Sequence, residues 1–300
     1  MLTCYLQGGL GNQLFQIFTT ISYSLMHKKA FAFTNQNQLD SKRSTYWNSF
    51  LSPLAKFTKE INYNQTSTKN TTLDKHTTLD KFTTIIKKKG FIKINEQSFS
   101  YNELPYINAD NILLVGYFQS SKYFEKHSKN IMRLIKLEEQ KNTVRLKYGL
   151  KVTNTISLHF RIGDYKQIQD CHPLMTYDYY YKALTHIASA TTITDASAST
   201  SVLIFCEKEN LADISDMVEK FKRDFTSLSF QIINFQASDW EQMLLMSLCQ
   251  HNIIANSSFS WWGAYFNTNP DKIVCYPSNW FGPRMKHNIK DLCPTDWKTF

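Results

Sequence analysis

Five short apolar runs, at 155–160, 202–206, 230–234, 252–255 and 272–276, alternate with helix-like stretches in the second half of this 300-residue chain. The helical stretches lie around 177–189, from 210 onward and from 239 onward. Where such a run is apolar throughout, as at 202–206, rather than at every second residue, it predicts a strand buried on both faces. That means a parallel sheet with helices packed on each side, an α/β fold class. Ligands of such sheets gather beyond the carboxyl ends of the strands, so the residues that follow each run are the ones to inspect.

Two of those endings carry chemistry. The first run leads into His159-Phe160-Arg161-Ile162-Gly163-Asp164-Tyr165. An arginine there offers a rigid, permanently charged fork that matches a phosphate, and Asp164 stands where it can hold the fork. A polar loop after a strand is common in itself, so this string gains weight only in company. The fourth run passes into Asn256-Ser257-Ser258-Phe259-Ser260-Trp261-Trp262. Small polar residues can open a helix and surround an anion with hydroxyls and free N–H groups. An ordinary serine cap is the alternative, and core packing explains the tryptophan pair better than sugar contact does. In the first half, Gln7-Gly8-Gly9-Leu10-Gly11-Asn12-Gln13 joins an apolar run at 2–6 to a helical spacing of Leu14, Phe18, Ile21 and Leu25. Its glycines allow a tight turn and a close backbone approach, or serve only to reverse the chain, and Asn12 is expected to cap the helix. A dinucleotide fingerprint would need a third glycine where Leu14 stands, so a nicotinamide enzyme is disfavoured.

Between about 35 and 110 the pattern weakens. Thr71-Thr72-Leu73-Asp74-Lys75-His76 returns at once as Thr77-Thr78-Leu79-Asp80-Lys81-Phe82. Two copies of six residues make no solenoid, and the segment near 60–90 is predicted to be an exposed insertion. A further strand is expected at 112–116, and the lysine-rich stretch 136–154 reads as a crossover between a domain 1–145 and a domain 146–300. The formal charge of +9 favours an anionic substrate or an acidic membrane surface. No nucleic-acid motif accompanies it, so nucleic acid is not an expected partner. Six irregularly spaced cysteines give neither a disulfide framework nor a zinc spacing, which suits a reducing compartment. The apolar run 14–26 is interrupted by Gln16, Thr19 and Thr20 and is too short to span a bilayer.

Taken in order, these strings resemble the α-1,2-fucosyltransferases of glycosyltransferase family 11, the bacterial type above all. The likeness rests on the glycine string, Gly116-Tyr117-Phe118-Gln119 followed by Tyr123-Phe124, the motif from His159 to Tyr165, 243–247, the motif from Asn256 to Trp262, and 273–280. Three positions depart from the family pattern: Ile162 replaces a second arginine, Lys208 follows Glu207 where a second acid is usual, and Gln242 stands beside Glu241 where an acid is usual.

The resemblance implies two Rossmann-like halves in a variant of the glycosyltransferase B fold, acceptor-facing in the first half and nucleotide-sugar-binding in the second. It implies transfer of L-fucose from GDP-fucose to the 2-hydroxyl of a terminal β-galactoside with inversion. The acceptor would be a glycan such as a lipopolysaccharide O-antigen repeat. Arg161 would stabilise the departing diphosphate, with Asp164 orienting it and His159 at the nucleotide. Glu207, Glu241, Asn256, Ser257, Ser258, Ser260 and Trp261 would complete the donor site, which Gly9, Gly11, Asn12 and Gln13 approach from the first half. No cofactor is expected, and the lack of an Asp-x-Asp pair points to metal independence. The absence of an anchor suggests a cytoplasmic enzyme, with contact at an acidic inner-membrane surface an option. The general base stays open among Asp164, Asp170 and Asp178. A fucosyltransferase of another linkage, such as α-1,6, and a sugar-binding protein without chemistry are the alternatives.

Overall fold

The computed structural model describes residues 1–59, 91–150, 153–190, 200–233 and 236–300. The predicted insertion and its hexapeptide repeat therefore lie outside the described residues, as does Asn234 at the end of one predicted strand. The chain divides into two compact units, Met1–Leu137 with Lys290–Leu292, and Glu138–Ile289 with Cys293–Phe300. The division at residue 137 lies eight residues before the expected one at 145, and residues 290–292 rejoin the first unit.

The first unit contains β1 (Leu2–Cys4), α1 (Leu10–His27), β2 (Phe33–Thr34), β3 (Thr58–Lys59), β4 (Ile92–Asn95), β5 (Ile112–Val115) and α2 (Ser128–Leu134). Strands β1, β5 and β4 form a parallel sheet in that order, while β2 and β3 pair in parallel. Helix α1 is buried on nearly every side, and its core includes the polar residues Gln13, Gln16, Thr19 and Thr20. Buried amides need partners, and the Gln16 side chain and Gln13 Nε2 find theirs in the turn before the helix and at Ser44, while Gln13 Oε1 has none among the described residues. The Gln16 side chain accepts from Gln7 N at 3.0 Å, and Gln13 Nε2 donates to Gly8 O at 3.1 Å and to Ser44 O at 2.9 Å.

The second unit begins with α3, whose span Leu137–Tyr148 starts one residue before it, and continues through β6 (Thr155–His159), α4 (Tyr177–Ala190), β7 (Thr200–Phe205), α5 (Leu211–Asp224) and β8 (Leu228–Ile232). It ends with α6 (Asp239–Leu248), β9 (His251–Ile253), α7 (Ser258–Tyr265), β10 (Val274–Tyr276) and β11 (Lys298–Thr299). All six strands run parallel, in the order β11-β10-β9-β6-β7-β8. The predicted strands are present, shifted by one or two residues at their ends. β11 escaped prediction because two exposed polar residues leave no apolar run. β6 is buried at all five positions, and Ile156 and Leu158 meet Tyr180, Leu184 and Phe221 in one core. Helix α5 packs there because Ile214, Val218 and Phe221 recur on one face.

Strand order runs outward from β6 through β7 and β8 on one side and from β9 through β10 and β11 on the other. The order thus reverses between β6 and β9, which is the point in an open parallel sheet where neighbouring loops part and leave a crevice. Fully buried Asn252 on β9 fixes this junction: its Nδ2 donates to Ser157 Oγ on β6 at 2.7 Å and to Met246 O on α6 at 2.8 Å. Its Oδ1 accepts from Asn267 Nδ2 at 2.7 Å. Asn252→Ala would strand several of these groups without water, and we expect a loss of about 3 kcal/mol, read as a lower urea midpoint with an unchanged slope.

Candidate active site

Arg161 follows β6 at the strand-order reversal, with its side chain 19% exposed. Its guanidinium pairs with two carboxylates, Asp164 and Glu207, one on each terminal nitrogen. Burial alone would weaken the arginine's charge, but these carboxylates outweigh that and hold it more firmly protonated than usual. A guanidinium has five N–H donors, so two pairings leave capacity for a ligand. Asp164, expected beside Arg161, is paired with it. Glu207, expected at the donor, is also engaged with the arginine and is held by Asn210 Nδ2 at 2.9 Å. Gly163 makes room for it: a Cβ there would lie 2.3 Å from Glu207 Oε2, at a φ of +24°. The Tyr165 ring lies 4.9 Å from the guanidinium carbon, and its hydroxyl donates to Asn256 O at 3.1 Å. This bond ties the loop after β6 to the loop after β9.

Two buried atoms flank the same junction without a hydrogen-bond partner, His159 Nδ1 at the end of β6 and Asn256 Oδ1 just past β9. The Asn256 amide nitrogen is satisfied by Pro173 O at 3.0 Å and Trp280 O at 3.1 Å, which fixes the side chain. Burial, then the Arg161 charge, pushes His159 down to about 3. Its ring is therefore neutral at physiological pH and offers a hydrogen bond rather than a cation.

Helix α7 starts at this junction. Ser257 caps it by accepting from Phe259 N at 3.3 Å, and Ser260 Oγ donates back to Ser257 O at 3.4 Å, so both hydroxyls already serve the helix. Ser258 opens the helix and is half-buried. At the other end two largely buried lysines answer the carbonyls: Lys272 Nζ donates to Ala264 O at 2.9 Å and Asn267 O at 2.8 Å, and Lys141 Nζ to Phe266 O at 3.0 Å. Burial pushes Lys272 down to about 8.

Other expected residues are engaged elsewhere. Trp261 is fully buried, stacked on Tyr265 at 4.8 Å and near Trp297 at 5.4 Å, so it belongs to the core. Glu241 forms the capping box of α6 with Ser238 and pairs with Lys147 Nζ at 2.7 Å. Burial would raise the Glu241 carboxyl, but these bonds prevail and hold it low. In the first unit Gly9, not Asn12, is the residue before α1. Asn12 lies within the helix and accepts from Gln119 Nε2 at 2.8 Å, which links the glycine string to the Gly116–Gln119 motif. The obligate glycine of that string is Gly8: a Cβ there would meet Asn12 Nδ2 at 2.4 Å at a φ of +79°, whereas one on Gly9 meets nothing. Gly11 and Gln13 are buried in the first turns of α1.

Residues 1–299 match the model of glycosyl transferase family 11. The chain belongs to that family. It is 28% identical to the O-antigen biosynthesis glycosyltransferase WbnK of Escherichia coli, over 96% of this chain and 97% of that one. It is 27% identical to an α-1,2-colitosyltransferase of Escherichia coli, over 62% of each chain. Among solved structures, a point mutant of Arabidopsis thaliana FUT1 in complex with GDP matches with a TM-score of 0.53 at 11% identity, over 98% of this chain and 74% of that one. The fold is α/β of the glycosyltransferase B type. No helix among the described residues is long and apolar enough to cross a membrane.

The transferase also carries residues that the sequence did not single out. His172 stacks on Tyr165 at 4.8 Å and 21°, and Lys141 and Lys272 secure α7. Neither lysine has a local motif, because each meets its carbonyls only after the chain folds.

The neutral His159 has a measurable consequence. Unfolded, a histidine takes up a proton below its ordinary value of 6.5; folded, His159 resists until about pH 3. Stability from this residue is therefore complete above pH 6.5 and drains away as pH falls toward 3. The loss reaches about 2 kcal/mol at pH 5. Denaturant titrations at pH 7 and pH 5 should show a smaller pH effect in His159→Gln than in the wild type by about that amount.

Proposed function

We propose that this family 11 glycosyltransferase moves L-fucose from GDP-fucose to the 2-hydroxyl of a terminal β-galactoside, inverting the anomeric carbon. One observation carries the reading: at the strand-order reversal, a doubly held arginine and two unpartnered buried polar atoms stand on adjoining strand ends. Breaking a glycosyl–phosphate bond places negative charge on the departing diphosphate. Arg161 meets that charge with its remaining N–H donors, already oriented by Asp164 and Glu207, so little reorganisation is needed as the bond breaks. His159 and Asn256 contribute neutral hydrogen bonds to the nucleotide sugar, and Ser258 with the first turn of α7 faces its phosphates.

The relatives support the finer points. GDP is the ligand of the plant FUT1 structure, the α-1,2 linkage is that of the colitosyltransferase, and O-antigen synthesis is the named role of WbnK. The acceptor is accordingly a lipopolysaccharide repeat, and the enzyme acts on the cytoplasmic side of the membrane, where its excess positive charge favours an acidic surface. Colitose is the competing sugar, on the strength of the colitosyltransferase. No group of three or more His, Cys, Asp or Glu arranged to hold a metal occurs among the described residues, and we propose that transfer needs none.

Arg161→Lys should fold normally and lose about 100-fold or more in kcat, because a lysine cannot reproduce the paired fork; near-normal turnover in a GDP-release assay would refute the assignment. With GDP-fucose and lactose, wild-type turnover should be unchanged by a chelator, and linkage analysis should return an α-1,2 product. A product of another linkage, or release only with a colitose donor, would replace the fucosyl reading.

A further inference from the structure

Transfer to a hydroxyl requires a proton acceptor, and the acids nearest the arginine motif in sequence are all engaged. Asp164 pairs with Arg161, Asp170 with Arg284 Nη1 at 3.3 Å, and Asp178 with Lys182 Nζ at 2.7 Å. A different group lies within the Arg161 cluster. His172 stacks on Tyr165, the same ring that covers the guanidinium, and Phe281 packs near it at 5.6 Å. The backbone N–H of His172 donates to Ile168 O at 2.8 Å, which fixes the root of the side chain. Nδ1 is buried with no hydrogen-bond partner among the described residues. The ring is thus positioned by its stacking, and among the described residues Nδ1 carries no bond that fixes its proton.

Resting on the glycosyl-transfer reading above, we propose that His172 is the general base of the reaction. Its Nε2 takes the proton of the acceptor hydroxyl as that oxygen forms its bond to the anomeric carbon. The bond from the anomeric carbon to the phosphate oxygen breaks, and its electron pair leaves with the nucleoside diphosphate. The imidazolium then returns its proton to solvent.

The electrostatic setting suits this role. Burial lowers the basicity of His172, Asp164 opposes that, and Arg161 and His287 reinforce it, with a net shift below the ordinary histidine value. A ring so placed is unprotonated at pH 7 and ready to accept. Since the base must be unprotonated, turnover falls as pH drops through its pKa, which places an acidic limb below about pH 6.5. The stacking also explains why an aromatic base serves here: Tyr165 can position a flat ring without consuming a ring nitrogen.

The test compares wild type, His172→Phe, which keeps a stacking ring, and His172→Ala, which opens space for added imidazole. GDP release from GDP-fucose is followed with lactose and, separately, with water as the only acceptor, and GDP affinity is measured by calorimetry. The expected result is a loss of about 100-fold or more in kcat for both variants. GDP affinity should stay within about threefold, the acidic limb should vanish, and imidazole should partly restore His172→Ala. A structural role would instead move GDP affinity or melting temperature and would not respond to imidazole. Turnover of His172→Phe near the wild-type value, or an acidic limb that persists in it, overturns the proposal. If wild type releases GDP to water but does not fucosylate lactose or other β-galactosides, the acceptor reading fails while His172 is still judged on hydrolysis. If wild type releases no GDP from this or a colitose donor under any condition, both fall.

Discussion

A guanidinium that is mostly removed from water must have its charge answered nearby, and the loops above the second sheet are organised around this requirement at Arg161. Two carboxylates answer it from different elements: Asp164 from the turn that follows β6 and Glu207 from the residue pair beyond β7. Each makes a demand of its own. A side chain at residue 163 would crowd the Glu207 carboxylate and be strained at its positive φ, and Asn210 holds the second oxygen of Glu207. Tyr165 covers the open face of the guanidinium and bonds across to Asn256. A single half-buried cation therefore ties together the ends of β6, β7 and β9, the three strand ends around the reversal in strand order.

Helix α7 is a second, separate electrostatic arrangement aimed at the same place. It is only eight residues long, so its aligned peptide dipoles and its position depend on how its ends are held. Ser257 holds the beginning, and Lys141 and Lys272 supply cations where the carbonyls point outward. Burying two ammonium groups is unfavourable, as the lowered basicity of both shows. Contacts with several carbonyls at once offset this, and the cations complement the negative end of the helix. The tryptophan pair anchors the middle of the helix in the core.

Much of this was legible in the sequence wherever the information was local. Short apolar-rich runs separated by amphipathic stretches gave five of the six strands in the second sheet, and the polar residues that end β6 and β9 turn out to lie where strand order reverses. Long-range pairings were not legible. Glu207 lies 46 positions from Arg161, and nothing around it in the sequence distinguishes a carboxylate that orients an arginine from one that meets a ribose. Glu241 likewise reads as a site acid, yet the spacing of Ser238 and Glu241 is that of a capping box, a local explanation that was available and outweighs the distant one. Asn12 was expected to cap α1, but Gln13 and Gln16 already bind the turn before it, which moves the helix start back to Gly9. Strands β4 and β11 are short, with polar residues at solvent-facing positions, so neither shows the apolar run by which buried strands are recognised.

The net charge of the chain acts differently from what composition suggests. A formal +9 would attract an anionic nucleotide to the whole surface, yet Arg161, Asp164 and Glu207 together carry a formal charge of −1. The lysines nearby in sequence are paired as well, Lys166 with Asp213 and Lys182 with Asp178. Recognition of a diphosphate at such a site cannot rest on a broad positive field. On the proposed reading it comes from donors whose directions are fixed in advance: the remaining guanidinium N–H groups, the start of α7 and neutral side chains such as His159. Directed donors of that kind lose little strength to salt because they lie in a partly buried crevice. They also discriminate between a charge already present on a bound nucleotide sugar and the charge that grows as its glycosyl bond breaks, which is the distinction a transferase must draw.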